Sequence, residues 1–524
     1  MAGSLPAENS YAATGGSCGD GVAWSLEGDT LSITYTGAGT GRMDDHDDPM
    51  EFGYASQWKS INNVVIGEGV TYIGKTAFQN FGIDSITLSS TVEEIGPFSI
   101  QGNDIVSVDL KNVVTIGEGA FYENKLLTSV VIPSTVKTIG DYAFDLCIAL
   151  ESVDTSEATS LATIGKSAFV ASSIKDFYVP ATVTSLGTGA FVECYSLQSI
   201  DVDPANEKYV DVDGVVYDID MKTVLHYPPA KAVPSYEIPD TVTSIGLAAF
   251  ATGFKIGAVT IPDSVTVISD NAFEKCEGLT SIKIPNTVTS IGKYAFNSCE
   301  HIETIDFSGT TVLKSIGNGA FLDNAKLKTV EIPACVESLG ERVFAACSVL
   351  ETISIDPSNE HYATKDGILY DKKMETLMQF PGGCKMTSFT VPSTVKKIDV
   401  NAFSSLTVLE SLTFPDSVTT ISDGACTNPS YQHMPLLRIS FGKGLTTITG
   451  EHPFISHVFL DKDGKELLQT AENLKGHTFA GKDTSHMYMD DGKSNEGFPI
   501  WAIAAIAIAV LAIIVGLVLW KRSR

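Results

Sequence analysis

Residues 279–299 read LTSIKIPNTVTSIGKYAFNSC, and copies of this unit fill most of the 524-residue chain. Within the unit, Ile282 and Ile284 alternate with polar residues, which is the spacing of a half-buried β-strand. Pro285 ends this strand, because proline has no N–H to donate to a strand ladder. The start of the unit therefore predicts a short strand with one face turned to a core.

The rest of the unit predicts a corner. A second extended run ends at Ile291 and meets Gly292, a residue suited to a tight turn. Residues 293–299 then predict one helical or 3₁₀ turn that points Phe296 toward the interior. A coil of two strands and one corner follows from these signals.

The inward aromatic position recurs five residues after an isoleucine or leucine. Successive positions are 21–25 residues apart, except for two gaps of 59 residues. A period near 23 residues predicts a solenoid, in which each coil buries its apolar face against its neighbours. The position is occupied by Phe78, Ile100, Phe121, Phe144, Phe169, Phe191, Phe250, Phe273, Phe296, Phe321, Phe344, Phe403 and Cys426.

The two long gaps contain inserts that resemble each other. Residues 203–218 read DPANEKYVDVDGVVYD, and residues 356–371 read DPSNEHYATKDGILYD. Each is followed by another short extended run. We predict that the inserts, at about 203–232 and 356–385, are β-hairpins that leave the solenoid at equivalent points.

The sequence divides into a repeat array with distinct ends. We predict a flexible leader over 1–20, an N-terminal β-hairpin capping module over 21–62 and the solenoid over 63–454. A C-terminal cap over 455–483 and a polar spacer over 484–497 follow. Solenoid ends need such caps, because a terminal coil has a face without a neighbour.

The last residues have the pattern of a membrane anchor. Residues 498–520, FPIWAIAAIAIAVLAIIVGLVLW, carry no charge, and residues 521–524 read KRSR. A helix of this length spans about 34 Å, enough for a bilayer core of about 30 Å. The basic tail places the C-terminus in the cytoplasm by the positive-inside rule. We therefore predict a single-pass protein of the cell membrane with an extracellular body. No signal peptide is visible, so a tail-anchored protein with a cytosolic body is the alternative.

Composition excludes several partners. The formal net charge is −28, which disfavours nucleic acid and anionic lipid. The nine cysteines include no C-x-x-C pair, which argues against a zinc module and a disulfide framework. Five of them lie three residues after the aromatic position, which predicts small buried residues with free thiols. We predict no cofactor and no metal.

Two motifs suggest chemistry but have simpler interpretations. Residues 15–19, GGSCG, match the G-x-S-x-G motif of hydrolases, but they lie in the predicted leader and not in a strand-turn-helix context. Residues 44–48, DDHDD, could hold Ca²⁺, although a solvated acidic loop is commoner. The aspartates at 201, 203, 211 and 213 lack EF-hand spacing.

The repeat from about Val64 to Phe454 and the two DPxNExY inserts resemble the BspA-like leucine-rich repeat proteins. This resemblance implies a leucine-rich-repeat solenoid, a horseshoe or arc that is mostly β with short 3₁₀ or helical turns. It also implies a surface protein of a microbe, associated with adhesion to host proteins or to other cells.

Strand alternation names a candidate binding surface. One side chain of each first strand points away from the core, and together these side chains would form a continuous strip along the solenoid. The tyrosines of the inserts are a second candidate, although packing explains them equally well. The candidate ligand-binding strip comprises Asp109, Val131, Asp154, Tyr178, Asp201, Glu237, Lys283, Asp306 and Glu331.

These observations favour a non-catalytic, membrane-anchored recognition or adhesion protein. Its expected ligand is a protein or glycan on host or neighbouring cells, while nothing in the sequence sets its oligomeric state. The alternative is a structural or scaffolding protein, either a surface coat component or a tail-anchored cytosolic platform. A hydrolase in the end regions is a third hypothesis without a supporting constellation of residues.

Overall fold

Each repeat forms one coil with two short strands, and each strand pairs in parallel with an equivalent strand of a neighbouring coil. The coils stack into a β-solenoid of about sixteen turns. The computed structural model describes residues 14–427, 436–450, 453–454, 457–462, 465–480 and 486–490. Within these ranges strands predominate, and the repeat predicted from sequence is confirmed.

The first strands pair in parallel in short groups, most of them of two coils, and these groups together make the first-strand ladder. Their registers match equivalent residues of neighbouring coils, as in Ile282 beside Ile305. The strands are Asn63–Ile66, Ser85–Thr87, Ser129–Val131, Ser152–Asp154, Asp176–Val179, Ser199–Val202, Tyr236–Glu237, Val259–Thr260, Ser281–Lys283, Thr304–Asp306, Thr329–Ile332, Thr352–Ile355, Ser388–Thr390, Ser411–Phe414 and Arg438–Phe441. A single bridge, Ser107 to Ser129, marks the remaining coil.

The second strands form a parallel second-strand ladder of two-residue strands. Each pairs with the equivalent strand one coil away, for example Ser290–Ile291 with Ser315–Ile316. The strands are Tyr72–Ile73, Glu94–Ile95, Thr115–Ile116, Thr138–Ile139, Thr163–Ile164, Ser185–Leu186, Ser244–Ile245, Val267–Ile268, Ser290–Ile291, Ser315–Ile316, Ser338–Leu339, Lys397–Ile398, Thr420–Ile421 and Thr447–Ile448.

The corner of each coil is not the helical turn that the sequence predicts. In the repeat of residues 279–299, Tyr294 and Ser298 have φ of 55°, which a right-handed helix excludes. The N–H groups of Tyr294, Phe296 and Ser298 instead donate to carbonyls of the next coil over 2.8–2.9 Å. The prediction of short 3₁₀ or helical turns is therefore wrong for these corners, because hydrogen bonds between coils replace those within a helix.

Gly292 is required for close approach between coils. A Cβ at this position would lie 2.4 Å from the backbone nitrogen of Asp270 in the preceding coil. The φ of Gly292 is not positive, so the packing distance and not an unusual turn selects glycine here.

The aromatic positions form a buried spine. All thirteen side chains at the aromatic position are no more than 2% exposed, as the sequence predicts. Phe250, Phe273, Phe296, Phe321 and Phe344 stack with ring centroids 4.8–5.7 Å apart and planes within 15° of parallel. Over these five coils the spine therefore supplies a continuous apolar contact from coil to coil.

The inserts lie within the stack. The strands of the first are Tyr209–Val212, Val215–Asp218 and Thr223–His226, and those of the second are Tyr362–Lys365, Ile368–Asp371 and Thr376–Gln379. Within each insert the three strands are antiparallel, and the third pairs in parallel with the next second strand. Val215, Val216 and Tyr217 are fully buried, so this strand packs on both faces. The inserts therefore do not leave the solenoid, because both faces of their middle strand are apolar.

The N-terminal end is built from Thr14–Asp20, Val22–Glu27, Thr30–Tyr35 and Arg42–Met43, with 3₁₀ helices Pro49–Glu51 and Ala55–Ser60. Thr14–Asp20 pairs antiparallel with Val22–Glu27, so residues 14–20 are not the flexible leader that we predict from sequence. Thr30–Tyr35 pairs in parallel with Asn63–Ile66, the first strand of the first coil. These strands thus join the hairpin directly to the first-strand ladder.

The C-terminal end contains Val458–Leu460, Glu466–Leu467, Thr478–Ala480 and His486–Asp490, with the α-helix Ala471–Leu474. Thr478–Ala480 pairs antiparallel with Arg438–Phe441. Among the described residues no helix has the length and apolar character to cross a membrane. The predicted spacer 484–497 is wrong over His486–Asp490, which is a strand paired with Val458–Leu460 and Thr478–Ala480. The rest of the spacer, the predicted span 498–520 and the tail 521–524 lie outside the described residues.

Candidate recognition surface

The outward side chains of the first-strand ladder form the surface that we call the acidic strip. All nine residues proposed for it from sequence are exposed, with Val131 at 57% and Tyr178 at 39%. The inward neighbours on the same strands, such as Ile282 and Val330, are 2–3% exposed. Strand alternation therefore gives the orientation of these side chains correctly, while their role in binding stays a prediction.

Parallel register brings members of the acidic strip side by side. Val131 pairs with Asp154, Tyr178 with Asp201, and Lys283 with Asp306. Backbone hydrogen bonds hold two of these carboxylates in place. Asp154 accepts from the N–H of Ser156 over 2.9 Å, and Asp306 from that of Ser308 over 2.8 Å.

These hydrogen bonds also fix the charge of the acidic strip. The N–H and the hydroxyl of Ser156 lower the pKa of Asp154, and the hydroxyl and the N–H of Ser308 lower the pKa of Asp306, since each donor stabilises the ionised carboxylate. The pKa of Asp109 is lowered by its contact with Lys111, whose ammonium lies 2.5 Å away. The strip is therefore negatively charged at neutral pH.

The insert tyrosines serve packing. Tyr217, Tyr227 and Tyr370 are at most 3% exposed. The hydroxyls of Tyr209 and Tyr362 accept from the backbone N–H of Leu186 and Leu339, over 2.9 and 2.7 Å. These bonds tie each insert to the preceding second strand, so the half-buried Tyr209 and Tyr362 also have a packing role.

A cleft of about 740 Å³ opens beside the second insert. One wall is the loop Phe307 to Lys314, and the other is the start of the insert at Asp356 to His361. Glu331, a member of the acidic strip, lies between them. This cleft is not among the sites predicted from the sequence. The one hint of it in the sequence is the spacing of 25 residues from Phe296 to Phe321. This spacing exceeds the usual period and places extra residues in the loop.

The motif at residues 15–19 does not form a nucleophile elbow. It lies in the strand Thr14–Asp20, where Ser17 is exposed and Cys18 is buried. The Ser17 hydroxyl contacts the carbonyls of Gly19 and Val22, each over 3.4 Å. A strand in an antiparallel pair lacks the strand-turn-helix geometry that the motif needs.

The acidic run at 44–48 is engaged within the protein. Asp45 accepts from the hydroxyl of Tyr72 over 2.5 Å and from the N–H of Lys75 over 2.7 Å. Asp47 pairs with the ammonium of Lys75, and Asp48 caps the 3₁₀ helix Pro49–Glu51. In the part of the chain that the structure describes, no group of three or more His, Cys, Asp or Glu side chains has an arrangement that could hold a metal ion.

All nine cysteines are free thiols, and all but Cys335 are buried. Cys276 and Cys299 each donate to the carbonyl of the aromatic residue one coil earlier, over 3.0 Å. Asn124 and Asn324 occupy the same position in other coils and donate similarly, over 2.8 and 3.1 Å. The prediction of small buried residues is confirmed, and the bond to the neighbouring coil explains why this position takes a donor.

A family model described as "BspA type Leucine rich repeat region" matches residues 53–156, 114–212, 230–366 and 379–454, which is more than half of the chain. No curated protein matches the chain.

Solved structures of bacterial repeat proteins are similar. A leucine-rich repeat protein from Eubacterium ventriosum is 22% identical, with 84% of this chain and 94% of that chain covered and a TM-score of 0.42. A leucine rich cell surface protein from Faecalibacterium prausnitzii is also 22% identical, with coverage of 78% and 96% and a TM-score of 0.46. The pneumococcal vaccine antigen PcpA is 18% identical, with coverage of 82% and 93% and a TM-score of 0.47.

Proposed function

This chain belongs to the BspA-type leucine-rich repeat family, and we propose that it is a non-catalytic recognition or adhesion protein anchored in the cell membrane. Its ligand would be a protein or glycan on host or neighbouring cells. The acidic strip is the observation that carries this proposal, because it offers aligned, exposed side chains over many coils.

A repeated surface suits recognition for a physical reason. Each coil contributes one outward residue at a fixed spacing of about 4.8 Å, so a partner can add small contacts over a long distance. Single exposed carboxylates contribute little, whereas many aligned charges steer a basic partner and raise its association rate. Added salt should weaken such an interaction.

Capped ends and a C-terminal anchor would suit an ectodomain that is displayed on the cell surface. The antiparallel strands at the N-terminal end would cap the first coil, and those at the C-terminal end would cap the last. Residues 498–520 would then anchor the body with the basic tail in the cytoplasm. This topology leaves the acidic strip outside the cell.

Display of the full-length chain on cells tests the recognition role. Adhesion would be measured on arrays of extracellular-matrix proteins and glycans, for the native chain and for the triple variant Asp109→Asn, Asp154→Asn, Asp201→Asn. Glu118→Gln, Asp263→Asn, Glu300→Gln is the matched control, since it removes three exposed carboxylates outside the strip. We expect adhesion that only the first variant loses. Equal adhesion by native and both variant cells, or none above cells without the protein, would contradict the proposal.

Protease treatment of intact cells tests the topology. Loss of the body from untreated cells is the expected outcome for an extracellular ectodomain. Protection of the body until the cells are permeabilised would instead favour the tail-anchored cytosolic platform.

A further inference from the structure

The cleft beside the second insert has an excess of negative charge. Asp306, Glu331, Asp356 and Glu360 reach it, together with Glu337, and the cations that line it are Lys314 and, when protonated, His361. Lys314 already pairs with Glu337. Asp306 lies beside Lys283 of the preceding coil, so Glu331, Asp356 and Glu360 remain without a lysine or arginine partner.

Two of these carboxylates are free to bind. Asp306 and Asp356 each accept the N–H of a serine two residues later, over 2.8 and 2.9 Å. Within the described part of the chain, the carboxylates of Glu331 and Glu360 make no hydrogen bond and no ion pair. Both side chains are exposed, so a ligand could reach them without displacing an internal contact.

The floor of the cleft is apolar. Ile305 and Phe307 lie there at 8% and 7% exposed, with Pro333 beside them. An apolar floor below acidic walls matches a side chain with an aliphatic stem and a cationic end, as lysine and arginine have. It fits a bare metal cation less well, because apolar carbon supplies no ligands to a hard cation.

At the first insert, a side-chain hydrogen bond spans the place that is equivalent to the cleft. The two inserts are offset by 153 residues, so Tyr178 is the counterpart of Glu331, and Asp203 is the counterpart of Asp356. The Tyr178 hydroxyl donates to Asp203 over 2.5 Å and joins the strip to the insert. At the second insert glutamate replaces this tyrosine, so two carboxylates line the cleft where the first insert has a hydroxyl bonded to a carboxylate.

We propose that the cleft between Glu331 and Asp356 is a binding site for an arginine or lysine side chain presented by a protein partner. This inference rests on the proposed recognition function, and it assigns that function a specific pocket. The cationic end lies between the two carboxylates, and the aliphatic stem packs against Phe307 and Pro333. A desolvated guanidinium between two carboxylates forms charge-assisted hydrogen bonds that a neutral side chain cannot form.

Fluorescence anisotropy with the full-length chain in detergent micelles tests the site. The probe is a fluorescein-labelled peptide, Gly-Ser-Arg-Gly-Ser-Arg-Gly, compared with versions in which lysine or citrulline replaces arginine. Citrulline keeps the shape of arginine and removes its charge. We expect the arginine or lysine peptide to bind at least about tenfold more tightly than the citrulline peptide at about 20 mM salt.

Glu331→Tyr is the decisive variant, because it places at position 331 the residue that the first insert has there. This tyrosine should donate to Asp356 as Tyr178 donates to Asp203, and the fold should be retained. The variant should reduce binding of the cationic peptide at least about tenfold, while Glu118→Gln, which changes an exposed acid outside both the strip and the cleft, should change it less than about twofold. Equal binding of citrulline and arginine peptides by the native chain overturns the site. Native-like binding by Glu331→Tyr also overturns it, and so does an equal loss of binding in Glu118→Gln. None of these results affects cell adhesion through Asp109, Asp154 and Asp201, so the two proposals fail separately.

Discussion

The rings of Phe273 and Phe296 lie face to face, with centroids 5.0 Å apart and planes 5° from parallel. They belong to adjacent coils, and both are fully buried. Each of these two rings packs against the rings of the coils before and after it. The loss of one ring therefore removes contacts from both neighbouring coils.

Replacing Phe296 by alanine should destabilise the protein by about 3–5 kcal/mol, because a buried ring is lost and the rigid coils cannot collapse into the space. Urea unfolding followed by circular dichroism measures this change. Lys283→Ala is the control, since its exposed side chain on the same repeat should cost less than about 0.5 kcal/mol. A larger effect for Lys283 than for Phe296 would contradict the assignment of inward and outward faces.

Some of this architecture could be predicted from residues 279–299, and some could not. The spacing of Ile282, Ile284 and Phe296 gives the coil and its buried side, because periodicity reports which face meets the core. The corner at Tyr294 could not be predicted, since its N–H donates to a coil 24 residues later and not along its own turn. Contacts between coils decide the local backbone there.

The candidate surface divides in the same way. Exposure of Asp306 and Glu331 follows from strand alternation alone. The cleft does not, because it depends on how the lengthened loop before Lys314 lies against the insert two coils on. Residues far apart in sequence meet there, and a single sequence contains no signal for that distance.

Asn206 should be among the most sensitive polar residues of the insert. Its amide donates to the carbonyls of Pro180 and Val183 over 2.9 and 3.0 Å, while its side-chain oxygen accepts from the N–H of Lys208 and Tyr209. Asn206→Ala leaves these buried groups without partners and should cost about 1–3 kcal/mol or more in urea unfolding.

Glu207→Ala is the matched control for this change, since the neighbouring side chain is exposed. It should leave the unfolding midpoint nearly unchanged. Similar midpoints for the Asn206 and Glu207 variants would show that the hydrogen bonds of Asn206 do not hold the insert in place.

Thiol reactivity should distinguish Cys335 from the other cysteines. Cys335 is half-buried at the edge of the cleft, whereas burial raises the pKa of Cys194 and Cys347 to about 12 and keeps them protonated. A disulfide reagent such as DTNB should therefore modify one thiol quickly in the native protein and the others only on unfolding.

Cys335→Ser should remove this fast phase, and Cys299→Ser should leave it unchanged. Two or more fast thiols in the native chain, or a fast phase that survives Cys335→Ser, would be inconsistent with the burial of the remaining cysteines.

His226 should make the stability of the solenoid fall in acid. It is 6% exposed and packs against the aromatic spine, with its ring centroid 5.6 Å from that of Phe191. Burial lowers its pKa from 6.5 to about 4, so the folded protein resists protonation while the unfolded chain takes up a proton below pH 6.5. The contribution of neutral His226 to the free energy of unfolding is therefore fully present above pH 6.5. It is lost as the pH falls toward 4, and the loss is about 3 kcal/mol.

The chain supplies its own control for this prediction, because Gln379 occupies the equivalent position at the second insert and is 4% exposed. His226→Gln should keep the fold and reduce the difference in unfolding free energy between about pH 7 and about pH 4. Other acid-sensitive groups, such as the buried His457, whose pKa burial also lowers to about 4, contribute equally to both proteins and cancel in this comparison. Identical pH dependence of the native chain and His226→Gln would mean that His226 is protonated without cost, and that the spine admits water at the first insert.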